Sequence, residues 1–214
     1  MRMDTNDLIE GLVADRAVRV RTVDQWLPVA LLIAAPFSIA LFMAGLGMRP
    51  DIRDAMHNPF FDLKFVVTLS LAIPAIVLAL RLSRPDARLD GLGWWLVLPF
   101  GVLSAGIAGE AMSNPQRSWI ARLVGANALV CVTAIPALAL PLLAAALFAL
   151  RRGATSYPAL LGLLAGLMAG GLAATLYAMH CVEDSPLFVA TWYTLAIGLA
   201  GAAGALIGWR VLRY

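Results

Sequence analysis

Within His180-Cys181-Val182-Glu183-Asp184, five consecutive positions hold an imidazole, a thiol and two carboxylates. Cysteine and histidine suit copper or zinc, whereas carboxylates prefer harder ions. His180, Cys181, Glu183 and Asp184 are therefore the candidate metal ligands. The only other thiol in 214 residues is Cys131. Two cysteines are too few for a disulfide scaffold, but they suffice for one bridge in an oxidising compartment. A bridge requires Cα atoms within about 7 Å. The alternative is that Cys131 is a small buried hydrophobe and Cys181 an ordinary loop residue.

A second feature is the N-terminal segment, Asp4–Asp24. Leu8, Ile9, Leu12 and Val13 recur at i, i+1, i+4 and i+5, which places them on one helical face. Asp7, Glu10, Asp15 and Arg16 decorate the remainder, and Asp4, Thr5 or Asn6 can cap the start. Such a stripe either fills a groove on a soluble partner or lies on a lipid surface.

The elements that must carry these features are apolar. The chain is 61% hydrophobic and 14% charged, against about 25% charged in soluble domains. Its apolar residues fall into blocks near 26–47, 65–82, 92–112, 125–149, 157–179 and 187–209, each long enough to cross a hydrocarbon core of roughly 30 Å. Backbone polar groups must be paired in lipid, and the blocks lack the two-residue alternation of barrel strands, so they read as helices. The fold class expected is all-α: a polytopic six-helix membrane bundle preceded by a short amphipathic helix. Residues 1–24 form one unit and 25–214 the other. No cleavable signal sequence is apparent before the first block.

Basic residues orient the bundle. For six spans, Arg2, Arg16, Arg19 and Arg21 share a side with Arg81, Arg84, Arg88, Arg151, Arg152, Arg210 and Arg213, while Arg49, Arg53, Lys64, Arg117 and Arg122 lie opposite. Both termini are expected in the cytosol. The His180–Pro186 loop then faces outward, with Cys131 one or two turns below the same surface. Gly162, Gly166 and Gly170, and again Gly204 and Gly208, repeat at four-residue spacing, the pattern of closely packed membrane helices.

Coupled transporters place ionisable groups near the bilayer midplane. Here Glu110, near the outer end of the third span, is the sole acidic residue inside an apolar block, and it is expected at the interface. His57 and His180, the only histidines, supply no haem-ligating pair within the bundle. Walker, HExxH and GxSxG motifs are absent. These absences argue against an enzyme and against a resident cofactor. A net charge of +3 is too small to suggest direct nucleic-acid binding.

The segment Tyr177-Ala-Met-His-Cys-Val-Glu-Asp-Ser-Pro-Leu-Phe-Val-Ala-Thr-Trp-Tyr193 resembles the signature of the NrsF/OsrA-type membrane anti-sigma factors. Cys131-Val-Thr-Ala-Ile-Pro136 and Leu150-Arg-Arg-Gly-Ala154 are similar to two further blocks of that family, and Asp7-Leu-Ile with Leu12 and Ala14-Asp15 to its opening helix. Where the family tends to show Pro-Val-Arg, this chain reads Ala17-Val18-Arg19. The resemblance implies an inner-membrane protein that holds an extracytoplasmic-function sigma factor inactive. It implies partner binding through Asp7, Leu8, Ile9, Leu12, Val13, Asp15, Arg16 and Arg19. It also implies that Cys131 and Cys181 sense heavy-metal or oxidant stress, with a transient metal ion as signal rather than cofactor. The reading from a different class is a small metal or solute permease with His180, Cys181, Glu183 and Asp184 at its entrance.

Overall fold

The computed structural model describes residues 5, 22–85, 87, 91–116 and 118–213. The expected gripping residues Asp7, Leu8, Ile9, Leu12, Val13, Asp15, Arg16 and Arg19 lie outside the described residues. Those described form helices and no strand. Six helical segments are long and apolar enough to cross a membrane. Their main helices are α1 (Val23–Gly45), α2 (Pro59–Leu82), α3 (Leu98–Ser113), α4 (Ala128–Leu150), α5 (Pro158–Ala178) and α6 (Thr194–Val211). A 23-residue helix spans about 34 Å at roughly 1.5 Å per residue, enough for the hydrocarbon core.

The α2 boundary differs most from the sequence expectation. Asn58 accepts a cap bond from the Phe60 amide at 3.1 Å and Pro59 opens the helix, so α2 begins six residues early and takes in Lys64. The fourth span differs too. Before the expected 125–149 block lies a short helix, Trp119–Val124, which Gly125 (φ +52°) separates from α4. Cys131 therefore stands in the first turn of α4.

The bundle is built around α5, which packs on α2, α4 and α6. Glycines make this possible. A Cβ on Gly162 would lie 2.3 Å from the Gly204 carbonyl oxygen, and one on Gly166 would lie 2.2 Å from that of Ala200. The α5 and α6 backbones thus touch, as the four-residue spacing predicts. Large apolar side chains instead point outward: Leu32, Phe37, Leu140 and Leu206 are all more than 60% exposed. A soluble domain does not expose such a belt, whereas lipid solvates it.

Contacts sort the loops into two ends. Arg84 pairs with Asp24 at 2.9 Å, the Ala154 amide donates to the Ser83 carbonyl, and Gly208 abuts Pro158. Both ends of the described 22–213 stretch therefore share one end of the bundle. The opposite, far end holds residues 46–58, 114–116, 118–127 and 179–185. At the near end the Arg152 guanidinium lies 3.9 Å from the Trp26 ring centroid and that of Arg213 lies 3.9 Å from the Trp209 ring centroid. Such cation–π pairs suit side chains at a membrane–water boundary.

Candidate functional site

The chemistry-bearing residues meet at the far end. Cys181 follows α5 in a non-helical stretch, yet it is fully buried, as is Cys131. Both belong to one apolar core with Tyr177, Phe188 and Tyr193, and both are free thiols. A π-helical turn, Val189–Tyr193, leads into α6 and carries Tyr193 into this core. The Tyr177 and Tyr193 rings lie 5.8 Å apart, and neither hydroxyl has a nitrogen or oxygen partner. The Cys181 sulfur is within hydrogen-bonding reach of both. Burial pushes the Cys181 thiol up from its ordinary value, and the nearby Lys64 ammonium and Tyr193 hydroxyl only partly oppose this. At rest the thiol is neutral and weakly nucleophilic.

Beside the thiols lies a buried charge cluster that sequence reading placed in open loops. Lys64, 1% exposed, pairs with Asp184 at 2.6 Å and donates to the Cys181 carbonyl at 2.8 Å. Arg49 reaches the same two acceptors, Asp184 at 3.0 Å and the Cys181 carbonyl at 3.3 Å. It also forms a two-pronged pair with Asp51 at 2.8 and 2.7 Å, a bonding geometry that holds the Asp51 carboxyl down at about 2. Asn58 completes the cluster: its side-chain oxygen caps α2 and its NH₂ donates to Asp184 at 3.1 Å. Buried charge costs several kcal/mol per ion unless paired, and here each cation has a carboxylate.

In this structure the four candidate metal ligands are each engaged elsewhere. Asp184 is committed to two cations, Glu183 accepts from the Ala126 amide at 3.0 Å, and a His180 ring nitrogen bonds the Gly47 carbonyl at 3.0 Å. Adjacency in sequence thus sends four side chains to different partners. Among the described residues no three of His, Cys, Asp and Glu converge to hold a metal ion.

A second polar group flanks the core. Glu110 is not at an open interface: it is 3% exposed, accepts from Ser185 at 2.7 Å and stands 4.0 Å from the Arg122 guanidinium. Arg122 also donates to the Asn114 carbonyl. Gly125 has to be glycine here. A Cβ would lie 2.7 Å from the Phe188 ring and 3.1 Å from the Glu183 carboxyl carbon. Its left-handed backbone brings the Ala126 amide to Glu183. The thiol loop is therefore held from both sides, by residues 46–64 and by 110–126.

Residues 12–214 match the sequence pattern of NrsF, negative regulator of sigma F. The chain belongs to the NrsF family. It is 33% identical to the anti-sigma-F factor NrsF of Caulobacter vibrioides (strain NA1000 / CB15N) over 219 residues, covering 99% of this chain and 100% of that protein. It is also 33% identical to the probable anti-sigma-F factor NrsF of Azospira oryzae (strain ATCC BAA-33 / DSM 13638 / PS), over 222 residues and the same shares. No solved structure matches the chain. Sequence reading found the two thiols but missed Arg49 and Lys64. The signal was available: two basic residues beside an apolar block on the charge-poor side of the bundle need partners.

Proposed function

We propose that this chain is a membrane-anchored anti-sigma factor that holds an extracytoplasmic-function sigma factor at the bacterial inner membrane. The apolar stripe Leu8, Ile9, Leu12 and Val13 occupies a surface of the sigma factor, with Asp7, Asp15, Arg16 and Arg19 adding polar and charged contacts. Heavy-metal or oxidant chemistry at Cys131 and Cys181 releases it. The observation that carries this reading is that both thiols are buried at the end of the bundle away from Val23 and act on the same two tyrosines, Tyr177 and Tyr193, within a chain that matches its relatives over their full length. Burial favours a signal with high intrinsic affinity for sulfur, because a neutral thiol in an apolar site reacts slowly with weak electrophiles. The protein acts by binding, not catalysis.

Moving a partner from 99% bound to 1% bound takes a change in relative affinity of about 10⁴-fold, roughly 5.5 kcal/mol. A sulfur–sulfur or sulfur–metal bond supplies that scale, whereas an exposed ion pair, worth at most about 1 kcal/mol, does not. The permease alternative gains no support: no His, Lys, Arg, Asp or Glu lies mid-span among the described residues, and the Thr68 and Thr175 hydroxyls satisfy each other at 2.9 Å.

Three measurements test the proposal, one a capture assay and two on a sigma-dependent reporter. A peptide of residues 1–24 should capture the cognate sigma factor. The chain lacking residues 1–22 should lose repression while still reaching the membrane. Cys131→Ser with Cys181→Ser should abolish induction and keep repression; induction that survives the double substitution would overturn the sensing half, and repression that survives the truncation the gripping half.

A further inference from the structure

The loop that leaves α1 is tied to the thiol loop by bonds from both backbone and side chain. The Arg49 amide donates to the Met179 carbonyl at 3.0 Å, and a His180 ring nitrogen bonds the Gly47 carbonyl at 3.0 Å. The Arg49 guanidinium then holds the Cys181 carbonyl and Asp184, and Lys64 of α2 holds the same pair from the other side. Arg49 is four residues beyond the end of α1, the helix that follows the N-terminal segment in the chain.

The rest of α1 is held lightly. Its buried residues are Leu27, Ala34, Ser38 and Phe42, a single stripe facing mainly α4, with a bond from Ser38 to the Leu138 carbonyl at 3.0 Å, while its near end carries the exposed Asp24–Arg84 pair at 2.9 Å and Trp26 beneath Arg152. A helix gripped along one apolar stripe can slide or turn as a body, and small shifts of packed helices are a common switching motion. The ties at its near end are solvent-exposed and weak, whereas at its far end buried polar bonds pin it.

We infer that Arg49 and Lys64 are coupling residues: they clamp the Cys181–Asp184 loop to the outlet of α1, so that displacement of this loop frees α1 and the segment it carries. The inference rests on the proposed reading of the thiols as sensor and the N-terminal segment as grip. The physical basis is that both cations share one carboxylate and one carbonyl on the thiol loop. A new bond at the Cys181 sulfur re-aims the peptide unit whose carbonyl they hold. Once that loop moves, Lys64 is left buried without its carboxylate and Arg49 keeps only Asp51, so the cluster opens as a unit. Coupling then has a two-state element that both ends bias, which is what a physical pathway requires.

The test uses the full chain in native membranes, with diamide as the probe. Diamide takes the two thiol hydrogens as the sulfurs join, and is itself reduced to its hydrazine. Amide exchange should rise at least about ten-fold over residues 46–51, the Arg49 amide included, together with 179–185. Protection of 46–51 that persists while 179–185 loosens, or while neither changes, overturns the clamp. Because this measurement needs no substitution, misfolding cannot confuse it. In parallel, Arg49→Gln in the Cys131→Ser, Cys181→Ser background should raise uninduced reporter output at least about ten-fold, with Arg49→Lys restoring repression. A fully repressing Arg49→Gln protein would also overturn the clamp. Failure of thiol sensing would show itself separately, as diamide induction that survives the double cysteine substitution.

Discussion

Cys181 shows how little a residue type says about its reactivity. An exposed thiol in a periplasmic loop would ionise near ~8.5 and react readily. Here the side chain is fully buried beside two tyrosines, and its ionisation is pushed up. Folding keeps the proton on sulfur, so the unfolded chain loses its proton first as pH rises. The Cys181 environment is therefore neutral toward stability below the unfolded value and reduces stability above it. Iodoacetamide should accordingly modify Cys181 in the resting protein at least about ten-fold more slowly at pH 7.5 than in the detergent-unfolded chain. The native rate should still be climbing with pH where the unfolded rate has levelled off. Mass-spectrometric alkylation time courses measure this, and equal rates in the two states would contradict the burial.

At the scale of elements, the contact of α5 with α6 is the most demanding in the bundle. Gly166 faces the Ala200 carbonyl at 2.2 Å from a would-be Cβ and the Gly201 Cα at 2.6 Å, and neither backbone atom can swing aside. Gly198, three positions before Gly201 on α6, has nothing within 4 Å of its would-be Cβ. Gly166→Ala should cost about 1–3 kcal/mol or more by overpacking, and Gly198→Ala should cost nothing or gain slightly from helix propensity. Unfolding of the purified protein in mixed micelles compares them; equal midpoints would mean that the two helices are not in backbone contact. The same four-residue spacing was legible in the sequence, but which helix each glycine faced was not, because a small residue marks a close approach without naming its partner. Lys64 was illegible for a related reason. Its helix begins at an Asn58 cap whose significance depends on Asp184, 126 residues away.

For the molecule as a whole, orientation rests on basic residues, and burial sharpens that argument. Of the basic residues at the far end, Arg49, Lys64 and Arg122 are each at most 6% exposed and each has an acidic partner. They are internal structure, not free charge awaiting an anionic leaflet. At the near end Arg84, Arg151, Arg152, Arg210 and Arg213 are exposed. Counting only exposed charge widens the asymmetry and strengthens the expectation of cytosolic termini. Alkaline phosphatase fused after Arg213 should be inactive, and the same enzyme inserted in the 114–116 turn should be active; the reverse pattern would invert the sensor and the grip.

Composition and block length alone determined that this chain is an all-helical, six-span bundle. A hydrocarbon solvent leaves the backbone few choices, and that constraint acts on every residue locally. Motif spacing alone also singled out the two thiols and the 177–193 segment. Only the tertiary structure decided what the acidic and basic residues near those thiols do. Whether Asp184 is a free ligand or half of a buried ion pair depends on cations brought from residues 49 and 64, and chain distance carries no information about that meeting.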